Sequence, residues 1–484
     1  MSSGPFGSLL RRQVVTPTDL SRCTATELLA LYRAKACSPV EATQAVLSGI
    51  SSLNDRLNAF RLVDPERALV AARESEERWR RGEPRGLVDG VPASVKDVLL
   101  TIGWSTRWGS TLTSETGPWD VDAPPVARLR EHGAVLLGKT NTSEFHWKTV
   151  TDSPLTGITR NPWNPDLTPG GSCGGATAAV AAGMGPLSLG TDGGGSIRVP
   201  CAFTGVFGLK PTFGRVPQFP AGAFGTMAHV GPITRSAADA ALMLSVISRP
   251  DDRDWYALPF EDRDYRSGLE AGVRDLTIGF SPDLGLGGVD PEVARVVADA
   301  VSVFSDLGAR VLEVENMSTH FDGTRETFET LGFPGIALSV ARFTEEEQAR
   351  MDPGLAAVAR LGERVGIMDY MAANRARERL GLAMNEFHRT HDLLVTPSVP
   401  ILPFPVDRDV PDPSRQDRWT EWAPFSYPFN LTRQPAASLP CGFSKNGLPV
   451  GLQVVGPLNG DALVLRACHA FECARPIVYP EQAV

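Results

Sequence analysis

Apolar positions along the chain follow two different periods. In residues 291–308 they recur every three or four positions, which predicts an amphipathic helix, and short apolar runs bounded by Gly or Pro predict buried strands. Because such helices and strands alternate along the chain, an α/β fold is expected. The predicted strands lie within residues 88–103, 134–138, 276–283, 309–314, 391–400 and 447–456.

Capping residues in the sequence predict several helix boundaries. Thr24 with Glu27, and Ser38 with Glu41, form two capping boxes that predict helix starts. The second helix is expected to run toward Leu53. Further helices are predicted at residues 65–81, 126–132, 334–389 and 462–472, whereas the polar segment 248–273 predicts an excursion on the surface.

Composition narrows the class of protein. The chain has 484 residues, 42% of them hydrophobic and 21% charged, which is typical of a water-soluble globular protein with one large core or two interleaved ones. A net charge of -9 argues against binding to nucleic acid or to a membrane surface. The N-terminal 15 residues lack a signal-peptide core, and the longest apolar stretch, 176–189, is interrupted by Gly and Pro, so we expect a cytoplasmic protein.

Metal and disulfide chemistry are not expected. The seven cysteines are scattered and form no CxxC pair, which favours a reducing compartment without a disulfide framework or zinc site. His388 and His391 are close in sequence but lack an HExxH setting. We therefore predict no metal and no cofactor.

Two glycine clusters, residues 170–175 and 193–196, carry the candidate chemistry. The spacing required for a phosphate-binding P-loop or a dinucleotide-binding GxGxxG turn is absent. Ser172 matches the GxSxG of a nucleophile elbow, but no histidine stands out as its base among His229, His320, His391 and His469. Cys173 is a possible thiol nucleophile, although a small packed residue is the favoured interpretation.

A third interpretation uses both clusters. Glycine lets the backbone approach a substrate closely, so the amides of Gly193, Gly194, Gly195 and Ser196 are candidates for an oxyanion hole, with Ser196 as nucleophile. Lys96 lies among apolar residues, where burial would lower its pKa and let it act as a base. Alternatively, Lys96 pairs with Asp97 or extends from the end of a strand.

These segments together resemble the amidase signature family of serine hydrolases. The resemblance covers nearly the whole chain and is weakest from about 250 to 380. It implies an α/β fold with a large mixed central β-sheet flanked by helices on both faces. The motifs that carry it are GVPASVKD (90–97), GAVLLGKTNTSEF (133–145), NPWNP (161–165), GGSCGG (170–175), GTDGGGSIRVPCAFTGVFGLKPT (190–212), HVGPITRS (229–236) and FNLTRQPAASLPCGFSKNGLPVGLQVVGP (429–457).

The resemblance assigns roles to individual positions. It implies that Ser196 is the nucleophile, that Ser172 is a bridging serine after a cis peptide bond, and that Lys96 is the base. Asp192 and Arg198 match positions that support the loop structurally. His146 matches a substrate-contacting position, with a surface histidine as the alternative. Two departures are Cys173, where the family usually has Ser, and Gly193, where it usually has Thr or Ile.

The resemblance also implies an organisation and an activity. We expect one amidase domain over residues 1–484, acting on a small amide or carbamate as a monomer or homodimer, without nucleic acid or membrane partners. The favoured substrates are aryl or alkyl amides, anilides and urethanes, with Phe224 and other phenylalanines of residues 218–228 and 317–365 lining an apolar pocket. Alternatives are an amidotransferase A-type subunit that releases ammonia from glutamine, and a silent binding subunit. The expected segments are a helical N-terminal part (1–60), the signature core (61–247), a variable pocket region (248–390) and the C-terminal part of the sheet (391–484).

Overall fold

A central β-sheet of eleven strands organises the fold. The structure is a computed structural model that describes residues 17–314 and 317–480, so the predicted absence of a signal-peptide core falls outside the described residues. The strands in spatial order are β1, β3, β2, β6, β8, β7, β12, β13, β11, β9 and β10, and β4 and β5 form a separate hairpin. Their bounds are β1 Phe60–Val63, β2 Pro92–Lys96, β3 Val135–Thr140, β4 Asp152–Ser153, β5 Gly157–Ile158, β6 Leu187–Asp192, β7 Phe207–Lys210, β8 His229–Thr234, β9 Thr277–Phe280, β10 Arg310–Glu313, β11 Leu393–Pro397, β12 Ala436–Phe443 and β13 Pro449–Val455.

The sheet is mixed, as the resemblance implied. Strand β2 pairs in parallel with both β3 and β6, and β9 pairs in parallel with β10 and β11. The pairs in the middle of the sheet, from β6 through β8, β7 and β12 to β13, are antiparallel. Because β2 and β6 run side by side in the same direction, their carboxyl ends meet at one edge of the sheet. This adjacency brings distant sequence motifs together.

Helices cover both faces of the sheet, since successive strand residues point to opposite sides. In β12, Ala437 and Leu439 pack into a core with α8, α9 and α16, whereas Ala436 packs into a second core that contains aromatic residues of α11. The helix bounds are α1 Pro17–Arg22, α2 Ala25–Arg33, α3 Pro39–Leu57, α4 Pro65–Arg81, α5 Pro124–Glu131, α6 Gly174–Ala181, α7 Arg198–Thr204, α8 Ala237–Ile247, α9 Pro291–Asp306, α10 Ser318–Phe321, α11 Thr324–Val340, α12 Glu345–Gln348, α13 Pro353–Glu363, α14 Ile367–Phe387, α15 Pro428–Leu431 and α16 Asp461–Ala474.

Local signals in the sequence located many of these helices. Both predicted capping boxes are present, at the starts of α2 and α3, and α4 spans the predicted residues 65–81. The predicted helical region 334–389 is instead divided among α11, α12, α13 and α14. Asp352 caps α13 ahead of a proline, and Gly366 precedes α14, so the chain turns at both positions.

The segment after α8 has little regular structure of its own, in agreement with a surface excursion. It nevertheless supports the loop at residues 218–228, because Asp254 accepts a hydrogen bond from the Gln218 amide at 2.8 Å and the Arg253 guanidinium lies 5.2 Å from the Phe219 ring centroid. All seven cysteines lie in the described part of the chain, and none of them forms a disulfide there. Within residues 17–314 and 317–480, no helix combines the length and the apolar character needed to cross a membrane.

Candidate active site

Three polar side chains are joined by two consecutive hydrogen bonds at the edge of the sheet where β2 and β6 end. Lys96 Nζ is 2.7 Å from Ser172 Oγ, and Ser172 Oγ is 3.0 Å from Ser196 Oγ. Lys96 and Ser172 are fully buried, and Ser196 retains 7% of its exposure. The structure therefore brings together the three residues that the sequence singled out, although Lys96 and Ser172 are 76 positions apart.

Strand ends and two short loops position these side chains. Lys96 is the last residue of β2, and Ser196 follows the end of β6 by four residues. Ser172 precedes α6, and Ser196 precedes α7, so each serine lies just before a helix. The two loops are joined by a hydrogen bond of 3.2 Å from the Cys173 amide to the Ser196 carbonyl. The peptide bond between Gly171 and Ser172 is cis, as the resemblance implied.

The surroundings of Lys96 favour its neutral form. Burial lowers the pKa of Lys96 from its ordinary value of 10.5, and the nearby Cys173 and Asp192 oppose this shift only in part. Its amine also lies 2.9 Å from Thr191 Oγ1. Asp97, which the sequence offered as an alternative partner, instead pairs with Arg61 at 2.7 Å. A lysine in such a site can exchange a proton with Ser172.

The backbone amides of the loop before α7 fall into two groups, one with an acceptor among the described residues and one without. The Gly195 amide donates a hydrogen bond of 2.7 Å to Asp192 Oδ1. The amides of Gly193, Gly194 and Ser196 donate to no other described residue. Of the four expected oxyanion donors, Gly195 is therefore committed to holding the loop, and the other three remain available to a substrate oxygen.

A buried ion pair supports this loop from behind. The Arg198 guanidinium lies 2.9 Å from Asp192 Oδ1, and both side chains are fully buried. Arg198 also donates to the Ser426 carbonyl, Gln453 and Asn430 at 2.6–2.8 Å. Although burial alone would raise it, the pKa of Asp192 is lowered, chiefly by Arg198 and its hydrogen bonds. Neither side chain forms a hydrogen bond with Ser196, and the supporting role of Asp192 and Arg198 stays a prediction.

The two departures from the family pattern have local explanations. Cys173 is fully buried, its Sγ donates to the Thr191 carbonyl at 3.2 Å, and burial raises the pKa of its thiol. This is the packed cysteine that we favoured over a thiol nucleophile. At position 193 a Cβ atom would lie 2.9 Å from Cδ2 of Phe224, so the phenyl ring occupies the space of a larger side chain. Gly193 and Phe224 are therefore sterically matched.

A cavity of about 310 Å³ borders the site at Thr191, Asp192 and Gly193. Ser196 itself does not line it. Apolar side chains form most of its wall, and the polar ones are few, which is the usual character of a small-molecule site. The lining residues are Val98, Leu99, Trp108, Phe145, His146, Thr191, Asp192, Gly193, Gln218, Phe219, Pro220, Ala221, Gly222, Ala223, Phe224, Ala228, Ser339 and Arg342.

His146 lies in this wall in an unusual backbone conformation. Its φ is 52°, and its ring centroid is 6.2 Å from that of Phe224. Nδ1 is buried and has no hydrogen-bond partner among the described residues. Burial, followed by the proximity of Lys96, lowers the pKa of His146 to about 3. The imidazole is therefore neutral at ordinary pH and can both donate and accept a hydrogen bond.

The sequence identified only part of the cavity wall. Phe219 and Phe224 of the 218–228 loop line it, as expected, but Phe321, Phe328 and Phe333 are core residues. Phe328 lies behind Phe224 with 5.8 Å between ring centroids. Four apolar residues and one cation of the wall had no role predicted from the sequence, although Phe145 ends the motif GAVLLGKTNTSEF. These residues are Val98, Leu99, Trp108, Phe145 and Arg342.

The histidines considered as bases for an elbow serine lie elsewhere. His229 Nδ1 is 2.8 Å from the Met227 carbonyl, and His469 pairs with Glu270 at 3.0 Å. His391 stacks on Phe387, with 4.4 Å between ring centroids, at the end of α14. The side-chain partners of Ser172 among the described residues are Lys96 and Ser196, so the GxSxG match does not describe a histidine-assisted nucleophile here.

The chain matches a known protein family and curated relatives over most of its length. The family model described as Amidase matches residues 41–465. The chain is 36% identical to an acylamidase of Rhodococcus erythropolis, covering 96% of this chain and 97% of the relative. It is 35% identical to the A-type subunit of the glutamyl-tRNA(Gln) amidotransferase of Chloroflexus aurantiacus (strain ATCC 29366 / DSM 635 / J-10-fl), covering 94% and 97%.

A solved structure shares the complete fold. The crystal structure of a bacterial aryl acylamidase of the amidase signature family superimposes with a TM-score of 0.85 and 30% sequence identity, over 94% of this chain and 96% of that one. The family model covers most of the chain, and the sequence relatives span nearly their full lengths. The chain therefore belongs to the amidase signature family.

Proposed function

We propose that this protein hydrolyses a carboxylic amide through an acyl-enzyme formed on Ser196. The observation that carries the proposal is the continuous contact from Lys96 Nζ through Ser172 Oγ to Ser196 Oγ, with distances of 2.7 and 3.0 Å. The Lys96 amine at one end of this hydrogen-bonded series is buried, and the Ser196 hydroxyl at the other end is partly exposed. This difference sets the direction of proton transfer. Protons can move toward Lys96 while the Ser196 oxygen attacks.

The acylation step follows from these positions. Neutral Lys96 accepts the proton of Ser172, and Ser172 accepts the proton of Ser196 as the Ser196 oxygen bonds to the amide carbon. The carbonyl oxygen becomes an anion, which the free amides of Gly193, Gly194 and Ser196 stabilise. Each such donor typically contributes about 3 kcal/mol to transition-state stabilisation. We do not include the Gly195 amide, because Asp192 already accepts its hydrogen bond.

The proton relay, which is the series Ser196, Ser172 and Lys96, then runs in the opposite direction. Lys96 returns a proton through Ser172 to the amide nitrogen, the C–N bond breaks, and the amine leaves while the acyl group stays on Ser196. Water next attacks the ester and gives its proton to the same relay. The Ser196 oxygen leaves with a proton from Ser172, and the carboxylic acid is released.

The cavity wall favours an apolar substrate. Phe145, Phe219 and Phe224 present rings to the cavity, and Val98 and Leu99 extend the apolar surface. We therefore favour aryl or alkyl amides and anilides as substrates, with carbamates and esters as related carbonyl compounds. The neutral His146 is proposed to hydrogen-bond the substrate, and Phe224 to pack against it. The names of the acylamidase and aryl acylamidase relatives agree with this substrate class.

The test compares wild-type protein with Ser196→Ala on a panel of anilides, alkyl amides, carbamates and esters. A fluorophosphonate should label Ser196 in the wild-type protein, and mass spectrometry locates the adduct. We expect Ser196→Ala to lose labelling and nearly all hydrolysis. Ser444→Ala, at a serine in the turn between β12 and β13, is the matched control and should keep both. Amide hydrolysis that survives Ser196→Ala would overturn the mechanism.

An amidotransferase A-type role is the second candidate, because the Chloroflexus relative is 35% identical. Glutamine carries an α-ammonium group that calls for an acidic partner. The acidic side chain in the described cavity lining is Asp192, and Arg198 already pairs with it. The chain also has NTSEF at residues 141–145, where the amidotransferase subunits usually have an NMDEF-type motif. Ammonia release from glutamine that exceeds hydrolysis of every apolar amide would favour this role.

A further inference from the structure

One cation in the cavity wall has no acidic partner among the described residues. The described lining includes two residues with a full charge, Asp192 and Arg342, and Asp192 is neutralised by Arg198. The contacts of the Arg342 side chain with described residues are ring contacts, and it forms no hydrogen bond or ion pair with any of them. It lies just after α11, at the outer part of the cavity, where the residue is open to solvent.

Two aromatic rings hold the guanidinium at this place. Arg342 Cζ lies 4.7 Å from the ring centroid of Phe343 and 5.5 Å from that of Phe145. The two rings are themselves in contact, with centroids 5.9 Å apart, and Phe145 also lines the cavity. Cation–π contact of this kind orients a guanidinium while leaving its N–H donors unused. The N–H donors of the guanidinium thus remain free for an acceptor that a bound molecule supplies.

No acidic residue in the described part of the chain supplies that acceptor. Partial burial lowers the pKa of Arg342, and no neighbouring charge in the described residues opposes the shift. The nearest acids in sequence are in α12, where Glu347 instead caps its own helix through Thr344. When a substrate fills the cavity, it displaces water from the guanidinium. An uncompensated desolvated charge is costly, so the substrate is expected to bring an acceptor of its own.

We propose that Arg342 binds a carboxylate of the substrate, so that the enzyme prefers amides whose apolar or aryl part ends in a carboxylate. This inference rests on the proposed amide hydrolysis. A carboxylate accepts two parallel hydrogen bonds from a guanidinium, which gives orientation as well as affinity. The net charge of -9 disfavours anions at the rest of the surface. Arg342 supplies a local positive charge that overcomes this repulsion at the cavity.

The experiment uses two matched pairs of anilides. Glutaryl-4-nitroanilide and valeryl-4-nitroanilide differ by a carboxylate on the acyl side, whereas N-acetyl-4-aminobenzoate and 4-acetotoluidide differ by a carboxylate on the amine side. In at least one pair, the wild-type protein should hydrolyse the carboxylated member with kcat/KM roughly tenfold higher, mainly through a lower KM. The pair that shows the preference identifies which part of the substrate faces Arg342.

Variants separate a specificity role from a structural one. Arg342→Gln should abolish the preference for the carboxylated member, and Arg342→Lys should retain part of it. Arg350→Gln, which removes a charge from an exposed position nearby, should keep the full preference. A wild-type preference for neutral members, or a preference that survives Arg342→Gln, would overturn the inference alone. Absence of Ser196-dependent hydrolysis of all four anilides would instead overturn the proposed function.

Discussion

The cavity is bordered by two regions that are stabilised in different ways. The relay region comprises Lys96, Ser172 and residues 192–198 and adjoins the cavity at Asp192 and Gly193. Hydrogen bonds and a buried ion pair hold it at the ends of two parallel strands. The substrate wall comprises Trp108, residues 145–146, residues 218–228 and residues 339–342. Ring contacts and a few polar contacts from distant segments hold it in place.

The difference shows how chemistry and specificity can vary separately. In the relay region the polar side chains have defined partners, so a change of one atom leaves a buried group without its bond. In the substrate wall, side chains pack against each other without directional bonds, as Phe224 does on Phe328. Substitutions there alter the shape of the cavity and leave the relay intact. The two regions should therefore respond to mutation in opposite ways.

Removal of the proposed base should have the largest effect. Lys96→Met keeps an apolar stem in a buried site but cannot accept a proton from Ser172. We expect kcat to fall by roughly 10²–10⁴-fold, the usual contribution of a general base, with a small change in KM. Steady-state kinetics on an anilide measure the effect, and circular dichroism checks that the variant is folded. Activity near the wild-type level would remove Lys96 from the mechanism.

Breaking the ion pair behind the loop should mainly affect stability. Asp192→Asn leaves Arg198 buried without its counter-charge, and loss of one partner of a buried pair costs about 3–5 kcal/mol. Because the native pKa of Asp192 is lowered, this stability is present above the ordinary Asp pKa of about 3.9 and is lost as pH falls.

Urea unfolding near neutral pH measures the free energy of unfolding of Asp192→Asn. Glu76→Gln is the matched control, since Glu76 pairs with Arg80 on the surface, and its effect should stay within about 1 kcal/mol. Equal stability of Asp192→Asn and the wild-type protein at neutral pH would contradict the supporting role of the pair.

The pH dependence of activity distinguishes the relay from the surrounding wall. Burial lowers the pKa of Lys96, and the reactive form is the neutral amine. Consequently kcat/KM should rise with pH through the lowered pKa, which lies below 10.5, and should fall about tenfold per pH unit on the acid side. Because the pKa of His146 is lowered to about 3, its titration does not account for a change in kcat/KM near neutral pH. A profile that decreases as pH rises toward neutrality from the acid side would contradict a neutral-lysine base.

A change in the substrate wall should affect substrates unequally. Phe224→Ala removes a ring that is 5% exposed and that packs over Gly193. We expect kcat/KM for aryl amides to fall by roughly tenfold, because about 1.4 kcal/mol of apolar contact corresponds to that factor. Labelling of Ser196 by a small fluorophosphonate should change little. If hydrolysis and labelling fell by the same factor, Phe224 would affect the relay region as well as the substrate wall.

The smallest effect is expected at Cys173. Cys173→Ser replaces the thiol with a hydroxyl of smaller size that can still donate to the Thr191 carbonyl. We expect kcat/KM to stay within about threefold of the wild-type value, since neither group transfers a proton in the proposed relay. The same anilide assay measures it. A loss comparable to that of Lys96→Met would make Cys173 part of the relay.

Local sequence signals predicted many helices and strands β2, β3, β9, β10, β11 and β13, but not the edge strand β1 or the middle of the sheet. Capping boxes and a charged helical repeat placed α2, α3 and α4, because these signals act within one or two turns. Strands β6, β7, β8 and β12 were not predicted. Their sequences, such as FGLK in β7, contain Gly and small residues in place of an alternating pattern, and their conformation depends on pairing with both neighbours.

For the candidate site, the sequence predicted Lys96, Ser172, Ser196 and the loop glycines through the motifs that carry the resemblance. Each of these motifs is a short continuous stretch, so it can be recognised without knowledge of the fold. The fold was needed to show that Asp192 accepts the Gly195 hydrogen bond, that the Phe224 ring lies where a side chain at position 193 would extend, and that Arg342 reaches the cavity. Two of these relations join residues from separate segments, and the first engages a single donor. They depend on packing and hydrogen-bond geometry, which linear spacing does not encode.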